Sequence, residues 1–268
     1  MDRYVVIGNP VAHSLSPEIH ARFALATGES LAYDRLLVEP GDFARAAREF
    51  FAAGGRGANV TLPFKVDAFE FARERTARAE QAGAVNTLAV RAGTVLGDNT
   101  DGAGLVRDLT VNLGLGLGGK RILLVGAGGA ARGVVAPLLG LSPAVLVIAN
   151  RTSGRARELA LRFRDAGPVE GVGLDAMGGG FDLVVNATST STRGEALALP
   201  GGLFAPGATA YDMAYGPAAR PFLERARAAG ASACDGLGML VEQAAEAFFL
   251  WRERRPDTAG VIAALRAA

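Results

Sequence analysis

Lysine is rare in this chain. Of its 28 basic residues only Lys65 and Lys120 are lysines, and every other cation is an arginine. Arginine does not deprotonate in proteins, whereas an ammonium group can give up and regain a proton. Lys120 opens a strand after a glycine-rich connection, where a surface cation is explanation enough. Lys65 closes the segment Asn59-Val60-Thr61-Leu62-Pro63-Phe64-Lys65, in a region where polar side chains are bunched. The other bunches are Asn9 with His13, Ser14 and Ser16, then Asn86-Thr87, then Asp98-Asn99-Thr100-Asp101. Each follows a strand-like run, and in an open α/β sheet the loops after the strand ends are where ligands gather. Their hydroxyls and amides suit a polyhydroxylated small molecule. Lys65 and Asp101 are the ionisable pair among them. Oxidising an alcohol by hydride transfer requires the hydroxyl proton to leave with the hydride. A lysine can take that proton and a nearby carboxylate can orient or relay it. Spacing alone leaves open which of the two carries it.

A second constellation concerns phosphate. Gly126-Ala127-Gly128-Gly129-Ala130-Ala131 follows the strand-like ILLV and opens a helix-like run. In that context the first glycine permits the tight turn, the second lets backbone approach a pyrophosphate, and the small residues let helix and strand pack closely. The helix start adds free N–H groups and the positive end of its dipole. The next strand, VLVIA, ends in Asn150-Arg151-Thr152, with Arg155 close behind. A carboxylate there would bond the ribose hydroxyl of NAD; a guanidinium suits the 2′-phosphate of NADP. The expected cofactor is therefore NADP.

These loops need strands to carry them. Strand-like segments are read at Tyr4–Gly8, 32–38, 58–61, 85–91 and 94–97, with a hairpin turn at Ala92-Gly93. Ser16-Pro17-Glu18 reads as a helix start with Ser16 as its N-cap, stopped by Gly28, and Asp42 caps a second helix ended by Gly54. A third helix is expected over 101–112. Six short apolar strands follow, at 121–125, 144–149, 169–172, 183–186, 208–212 and 231–233, with helices near 129–140, 152–165 and 217–229. That alternation predicts a mainly parallel sheet covered on both faces. The tail after Asp235 is helical. The expected fold is thus α/β with two domains. An open α/β substrate domain spans 1–102 plus 236–268, its C-terminal helices returning to the first domain. A Rossmann-type, doubly wound NADP-binding domain spans 103–235.

Composition narrows the function classes. The chain has 268 residues, 50% apolar and 21% charged, with a net charge of +1. That excludes a disordered chain and gives no electrostatic footprint for nucleic acid or an anionic membrane surface. No apolar run is long enough to span a bilayer. The single cysteine, Cys234, cannot form an internal disulfide, which suits the cytoplasm, and it reads as a small core residue. Only two histidines, His13 and His20, are present. Neither is given a catalytic role, and no clustered His/Cys set predicts a metal site.

Taken together, the motifs are familiar. The chain resembles shikimate dehydrogenases in GNPVAHSLSP, NVTLPFK, AVNT, GDNTDGAG, GAGGAARG, NRT, NATS, YDMAY and DGLGMLVEQAA, which fall in the family's order over essentially the whole length. NVTLPFK and DNTDG are specific, whereas the glycine turn is shared with many dehydrogenases. The resemblance implies NADPH-dependent, reversible reduction of 3-dehydroshikimate to shikimate in chorismate and aromatic amino-acid biosynthesis, by a monomer or homodimer whose partner is that small molecule. It implies that Lys65 is the general acid/base, partnered by Asp101. Ser14 and Ser16 would hold the substrate carboxylate, and Asn59, Thr61, Asn86, Tyr215 and Gln243 would complete the substrate site. Gly126, Ala127, Gly128, Gly129 and Ala130 would bind pyrophosphate. Asn150, Arg151, Thr152 and Arg155 would bind the 2′-phosphate end, Thr188 would also bind the cofactor, and Met213 and Gly236 would lie near the nicotinamide. Two places depart from the family's pattern: Ala21, where Asn is frequent, and Thr190-Ser191-Thr192-Arg193, where a glycine usually follows NATS. A quinate/shikimate dehydrogenase is the near alternative, disfavoured by Arg151 and Ser16. A non-catalytic metabolite sensor is the distant one, disfavoured by the intact Lys65 and Asp101.

Overall fold

The computed structural model describes residues 1–188 and 200–267. Thr190, Ser191, Thr192 and Arg193 therefore lie outside the described residues. The chain divides into two units, Met1–Gly104 with Leu240–Ala268, and Leu105–Met239.

In the first unit β1 (Asp2–Gly8), α1 (Ser16–Thr27), β2 (Leu31–Leu37), α2 (Phe43–Ala52) and β3 (Gly55–Val60) form parallel pairs around a central β1. Next come α3 (Lys65–Phe71), β4 (Glu74–Arg75), α4 (Ala77–Ala82), β5 (Thr87–Arg91), β6 (Thr94–Asp98) and α5 (Asp101–Arg107). The sheet order is β2-β1-β3-β5-β6-β4, with β5 antiparallel to both neighbours. The hairpin turn falls where expected. Ala92 and Gly93 both have positive φ, 47° and 82°, the backbone that a two-residue turn matched to strand twist requires. Residues 65–82 hold three short elements of two to seven residues.

One face of this sheet packs Val5, Ile7, Ala58, Val60 and Leu88 with Phe43, Ala47, Phe50 and Phe64. A second cluster joins Ile19 and Phe23 of α1 to Val241, Ala244, Ala245 and Phe248 of α9 (Leu237–Arg252) and to Val261 of α10 (Ala259–Ala267). Each large side chain buried there contributes about 1.5–3 kcal/mol relative to exposure. The terminal helices are thus part of the unit's core.

The second unit contains β7 (Arg121–Val125), α6 (Gly129–Leu139), β8 (Val145–Asn150), α7 (Ser153–Arg162), β9 (Val169–Gly173), β10 (Phe181–Asn186), β11 (Phe204–Asp212), α8 (Arg220–Ala228) and β12 (Ser232–Asp235). All six strands are parallel in the order β12-β11-β10-β7-β8-β9. Order reverses at β7, the topological switch point where doubly wound folds hold dinucleotides. Alternate strand residues feed opposite faces. Ile122, Leu124, Ile148 and Val185 meet α6 and α7, while Leu123, Val125, Val147 and Val184 share the opposite face with α8.

Two local expectations need correcting. Ser16 is not an N-cap: α1 starts at Ser16, Leu15 holds the cap position, and no side chain caps the helix. The Ser14 hydroxyl instead accepts the Ser16 amide at 3.3 Å. The helix expected over 101–112 changes at Asp108 into a π-helical turn, Asp108–Asn112. There the buried Asp108 carboxylate accepts from the Tyr211 hydroxyl at 2.6 Å and from Asn112 at 2.9 Å. A Cβ on Gly238 would collide with that carboxylate at 2.0 Å, so the close approach depends on a glycine.

Candidate active site

Sheet order explains why the first unit's polar bunches converge. β1, β3, β5 and β6 are neighbours, and the loops beyond their ends carry Ser14 and Ser16, then Thr61 to Lys65, then Asn86, then Asp98 to Asp101. Gly8 makes room for the second loop, since a Cβ there would lie 2.4 Å from the Thr61 methyl. The Thr61 amide is anchored on the Ile7 carbonyl at 2.9 Å, and its hydroxyl has no protein partner among the described residues.

Lys65 opens α3 and Asp101 opens α5. Their side chains meet, Nζ to Oδ2, at 2.5 Å, with only 14% and 7% of each side chain exposed. The other carboxylate oxygen accepts from Asn86 Nδ2 at 2.8 Å. The same Asn86 nitrogen faces Thr100 Oγ1 at 2.9 Å and Gln243 Oε1 at 3.3 Å, while its oxygen takes the Thr100 amide at 2.8 Å. Gln243, on α9, also accepts from Thr100 Oγ1 at 3.3 Å. One ammonium, one carboxylate and two amides thus form a connected, largely buried set.

Asn59 sits deeper and is fully engaged. Its nitrogen donates to Thr87 Oγ1 and the Asn86 carbonyl, and its oxygen accepts from the Tyr33 hydroxyl at 2.7 Å and from His20 Nε2 at 3.2 Å. His20 is wholly buried, stacks on Tyr33 with centroids 4.3 Å apart, and lies among Phe23, Phe248 and Trp251. Desolvation lowers its pKa to about 3, so the ring is neutral. With Nε2–H spent on Asn59, Nδ1 is a bare lone pair without a partner among the described residues. Ser14 Oγ lies 3.1 Å from Ser16 Oγ.

Behind the Asp101 loop lies a support that the sequence did not reveal. Asp98, 1% exposed, accepts from its neighbour's amide (Asn99, 2.8 Å), Thr76 Oγ1 and two nitrogens of Arg78. Burial alone would raise its carboxyl, but these donors hold it below the ordinary carboxylate value. Asn99 Oδ1 in turn takes the Asp101 amide at 3.2 Å. In sequence Asp98 and Asn99 read as part of a ligand-gathering bunch; Arg78, twenty residues away, carried no signal.

In the second unit, α6 starts at Gly129 with Gly128 at the cap position and no capping side chain, which leaves its first amides free for an anion. Gly126 has φ +121°, and a Cβ there would lie 2.9 Å from the Ala187 carbonyl. Its amide bonds the Ala149 carbonyl at 2.8 Å, which ties the turn to the end of β8. Beyond that end Arg151 and Arg155 are exposed and pair with no carboxylate among the described residues. Asn150 Nδ2 bonds the Thr152 carbonyl at 3.0 Å, and the Thr152 side chain caps nothing. The ends of β10 to β12 form one frame. Asn186 donates to Asp212 at 2.9 Å and accepts from the Thr188 hydroxyl at 2.7 Å. The Met213 amide bonds the Asn186 carbonyl, and the Gly236 amide bonds Ala214. Only glycine fits at 236, since a Cβ would lie 2.4 Å from the Met213 carbonyl. Tyr215 precedes a short 3-10 turn in the same unit. Among the described residues no group of three or more His, Cys, Asp or Glu could hold a metal ion, and no helix is long and apolar enough to cross a membrane.

Comparison with known proteins adds an independent line. The family model for the shikimate dehydrogenase substrate binding domain matches residues 6–88. That for shikimate / quinate 5-dehydrogenase matches 110–193, and that for the shikimate 5'-dehydrogenase C-terminal domain matches 236–266. The chain is 56% identical over 266 residues to the shikimate dehydrogenase (NADP(+)) of Alkalilimnicola ehrlichii, covering 99% of this chain and 98% of that one. It is 58% identical over 268 residues to the corresponding protein of Dechloromonas aromatica, again covering 99% and 98%. Among solved structures, shikimate 5-dehydrogenase from Thermus thermophilus, in complex with NADP(H) and shikimate, superposes with a TM-score of 0.88 at 35% identity, covering 100% of this chain and 99% of that one.

Proposed function

Because the chain belongs to the shikimate dehydrogenase family, we propose that it catalyses the NADP-linked, reversible reduction of 3-dehydroshikimate to shikimate in chorismate and aromatic amino-acid biosynthesis. The observation that carries this reading is the Lys65–Asp101 pair, held at 2.5 Å inside a ring of amides and hydroxyls on the first unit.

In the reductive direction the Lys65 ammonium donates its proton to the carbonyl oxygen as that oxygen becomes an alcohol; in the oxidative direction the amine takes it back. Asp101 fixes the ammonium with one oxygen and is itself fixed by Asn86 through the other. Ser14 and Ser16 bond the substrate carboxylate. Thr61, whose hydroxyl has no protein partner among the described residues, and Gln243 meet the ring hydroxyls, and Asn86, its own amide engaged by Asp101, Thr100 and Thr87, holds that wall of the site in place. Asn59 serves this site from behind, since its amide is occupied by Tyr33, His20 and Thr87.

The second unit fits NADP on its own geometry. The glycine turn leaves no room for a Cβ at Gly126, the start of α6 offers free amides to a pyrophosphate, and Arg151 and Arg155 are cations that pair with no carboxylate among the described residues. Gly126 to Ala130 would hold the pyrophosphate; Asn150, Arg151, Thr152 and Arg155 would hold the 2′-phosphate; Thr188 would also bind the cofactor, and Met213 and Gly236 would border the nicotinamide. NADPH supplies the hydride when bound. We place the protein in the cytoplasm, as a monomer or homodimer, with its single cysteine suited to a reducing compartment.

The test is the absorbance of NADPH formed from shikimate and NADP⁺, with quinate and NAD⁺ as parallel arms. Turnover of shikimate with NADP⁺ well above every other combination is expected. Preference for quinate would move the protein to the quinate/shikimate branch. NADP binding with no turnover of either acid would favour the sensor reading.

A further inference from the structure

The two groups assigned to the substrate carboxylate, Ser14 and Ser16, are neutral hydroxyls. A carboxylate leaving water for two hydroxyls gains hydrogen bonds but no opposite charge, and bonds from a cationic partner are the stronger ones. The edge strand β2 supplies both support and charge. Residues i and i+2 of a strand project from the same face, and here Tyr33 reaches Asn59 while Arg35 reaches the serine loop. The Tyr33 hydroxyl donates to the buried Asn59 at 2.7 Å. Burial pushes the phenol well above its ordinary pKa, so it stays a proton donor. Arg35 grips the Ser14 carbonyl with two nitrogens, Nε at 3.2 Å and Nη2 at 2.6 Å. Its guanidinium is exposed and pairs with no carboxylate among the described residues. A full positive charge therefore rests, uncompensated, against the backbone of the residue that receives the substrate's negative charge.

We infer that Arg35 is a specificity-determining residue for anionic substrates, seating Ser14 and supplying the positive charge that the two hydroxyls lack. The inference rests on Ser14 and Ser16 being the carboxylate site. An arginine in an arginine-rich chain carries no signal in sequence; the bidentate grip on one carbonyl singles this one out.

Arg35→Gln and Arg35→Lys separate charge from grip, and shikimate and its methyl ester separate anionic from neutral substrate. For shikimate, Arg35→Gln should raise KM about tenfold, close to the water-screened limit for one exposed charge acting across a few ångströms, with kcat changed less than about twofold. Arg35→Lys, which keeps the charge, should recover part of the loss. For the methyl ester, wild type and Arg35→Gln should share one KM. Salt should raise the wild-type KM for shikimate more than that of Arg35→Gln, because it screens the charge that the variant lacks. An unchanged shikimate KM in Arg35→Gln would overturn the inference. So would equal losses for acid and ester, which would leave Arg35 a structural role alone. Calorimetric titration of shikimate into both proteins keeps the two claims apart. Wild type that binds shikimate without turning it over contradicts the proposed reaction, while loss of that binding in Arg35→Gln still supports the role of Arg35. Wild type that neither binds nor turns over shikimate contradicts both.

Discussion

Asn86 joins more of the site than any other side chain described: its amide reaches Asp101, Thr100 and Gln243, and Thr87 donates to its oxygen. Lys65, Asp101 and Thr61 were legible at this scale because their chemistry and their place after strands coincide; Asn86, expected to follow a strand, instead precedes β5, which reaches the same edge because it runs antiparallel to its neighbours. Tyr33, His20, Arg35 and Arg78 were not. Each lies in an element whose pattern is explained by packing or solvent, and its role appears only when the chain brings it to a loop far away in sequence. His20 shows what such a residue costs and gives. Its ordinary pKa is 6.5, and burial lowers it to about 3. Between those values the unfolded chain binds a proton that the folded chain refuses, so stability rises with pH across that window, by up to about 1.4 kcal/mol per unit. Denaturant unfolding should therefore show lower stability near pH 5 than near pH 7. His20→Phe, which keeps the ring stack and leaves Tyr33 on Asn59, should shrink that difference. An undiminished difference would assign it to other groups.

At the scale of elements, the strands and long helices of the second unit were readable because each is a short apolar run or a periodic stretch between glycines. Two local features were harder. The π-helical turn at Asp108 depends on Tyr211 and on the missing side chain of Gly238, neither of which is near it in sequence. The start of α1 depends on Ser14 accepting the Ser16 amide, which displaces the capping role expected of Ser16. The turn before α6 was legible, and its first glycine is the most constrained. At φ +121°, with the Ala187 carbonyl 2.9 Å from where a Cβ would sit, an alanine is both strained and crowded. Gly126→Ala should weaken NADP binding by about tenfold or more, from about 1–3 kcal/mol of backbone strain. Shikimate affinity of the first unit should be retained, and calorimetry with each ligand reads both. Equal loss of both affinities would mean the variant had lost its fold rather than its cofactor turn.

For the molecule as a whole, two sheets of six strands divide the work, one mixed and one all parallel. The last helices pack with α1 in the core of the first unit, so the segment carrying Gln243 is folded against the loops it completes. A helical tail was legible as helical. That Gln243 on it meets Asn86 and Thr100 follows from packing, and the residues themselves imply it only through family likeness. Whole-chain composition gave one signal that no local motif could. A sequence that uses arginine almost wherever it needs a cation keeps lysine at position 65, against a buried carboxylate. If charge alone were required there, arginine would serve; if a proton must move, it would not.

Lys65→Arg, measured beside Lys65→Ala for shikimate oxidation with NADP⁺, separates those two cases. Loss of an acid–base group predicts that kcat falls by about 10²–10⁴ in both variants, with shikimate affinity changed far less. Near-normal kcat in Lys65→Arg would show that position 65 needs only a charge, and that the proton travels by another group.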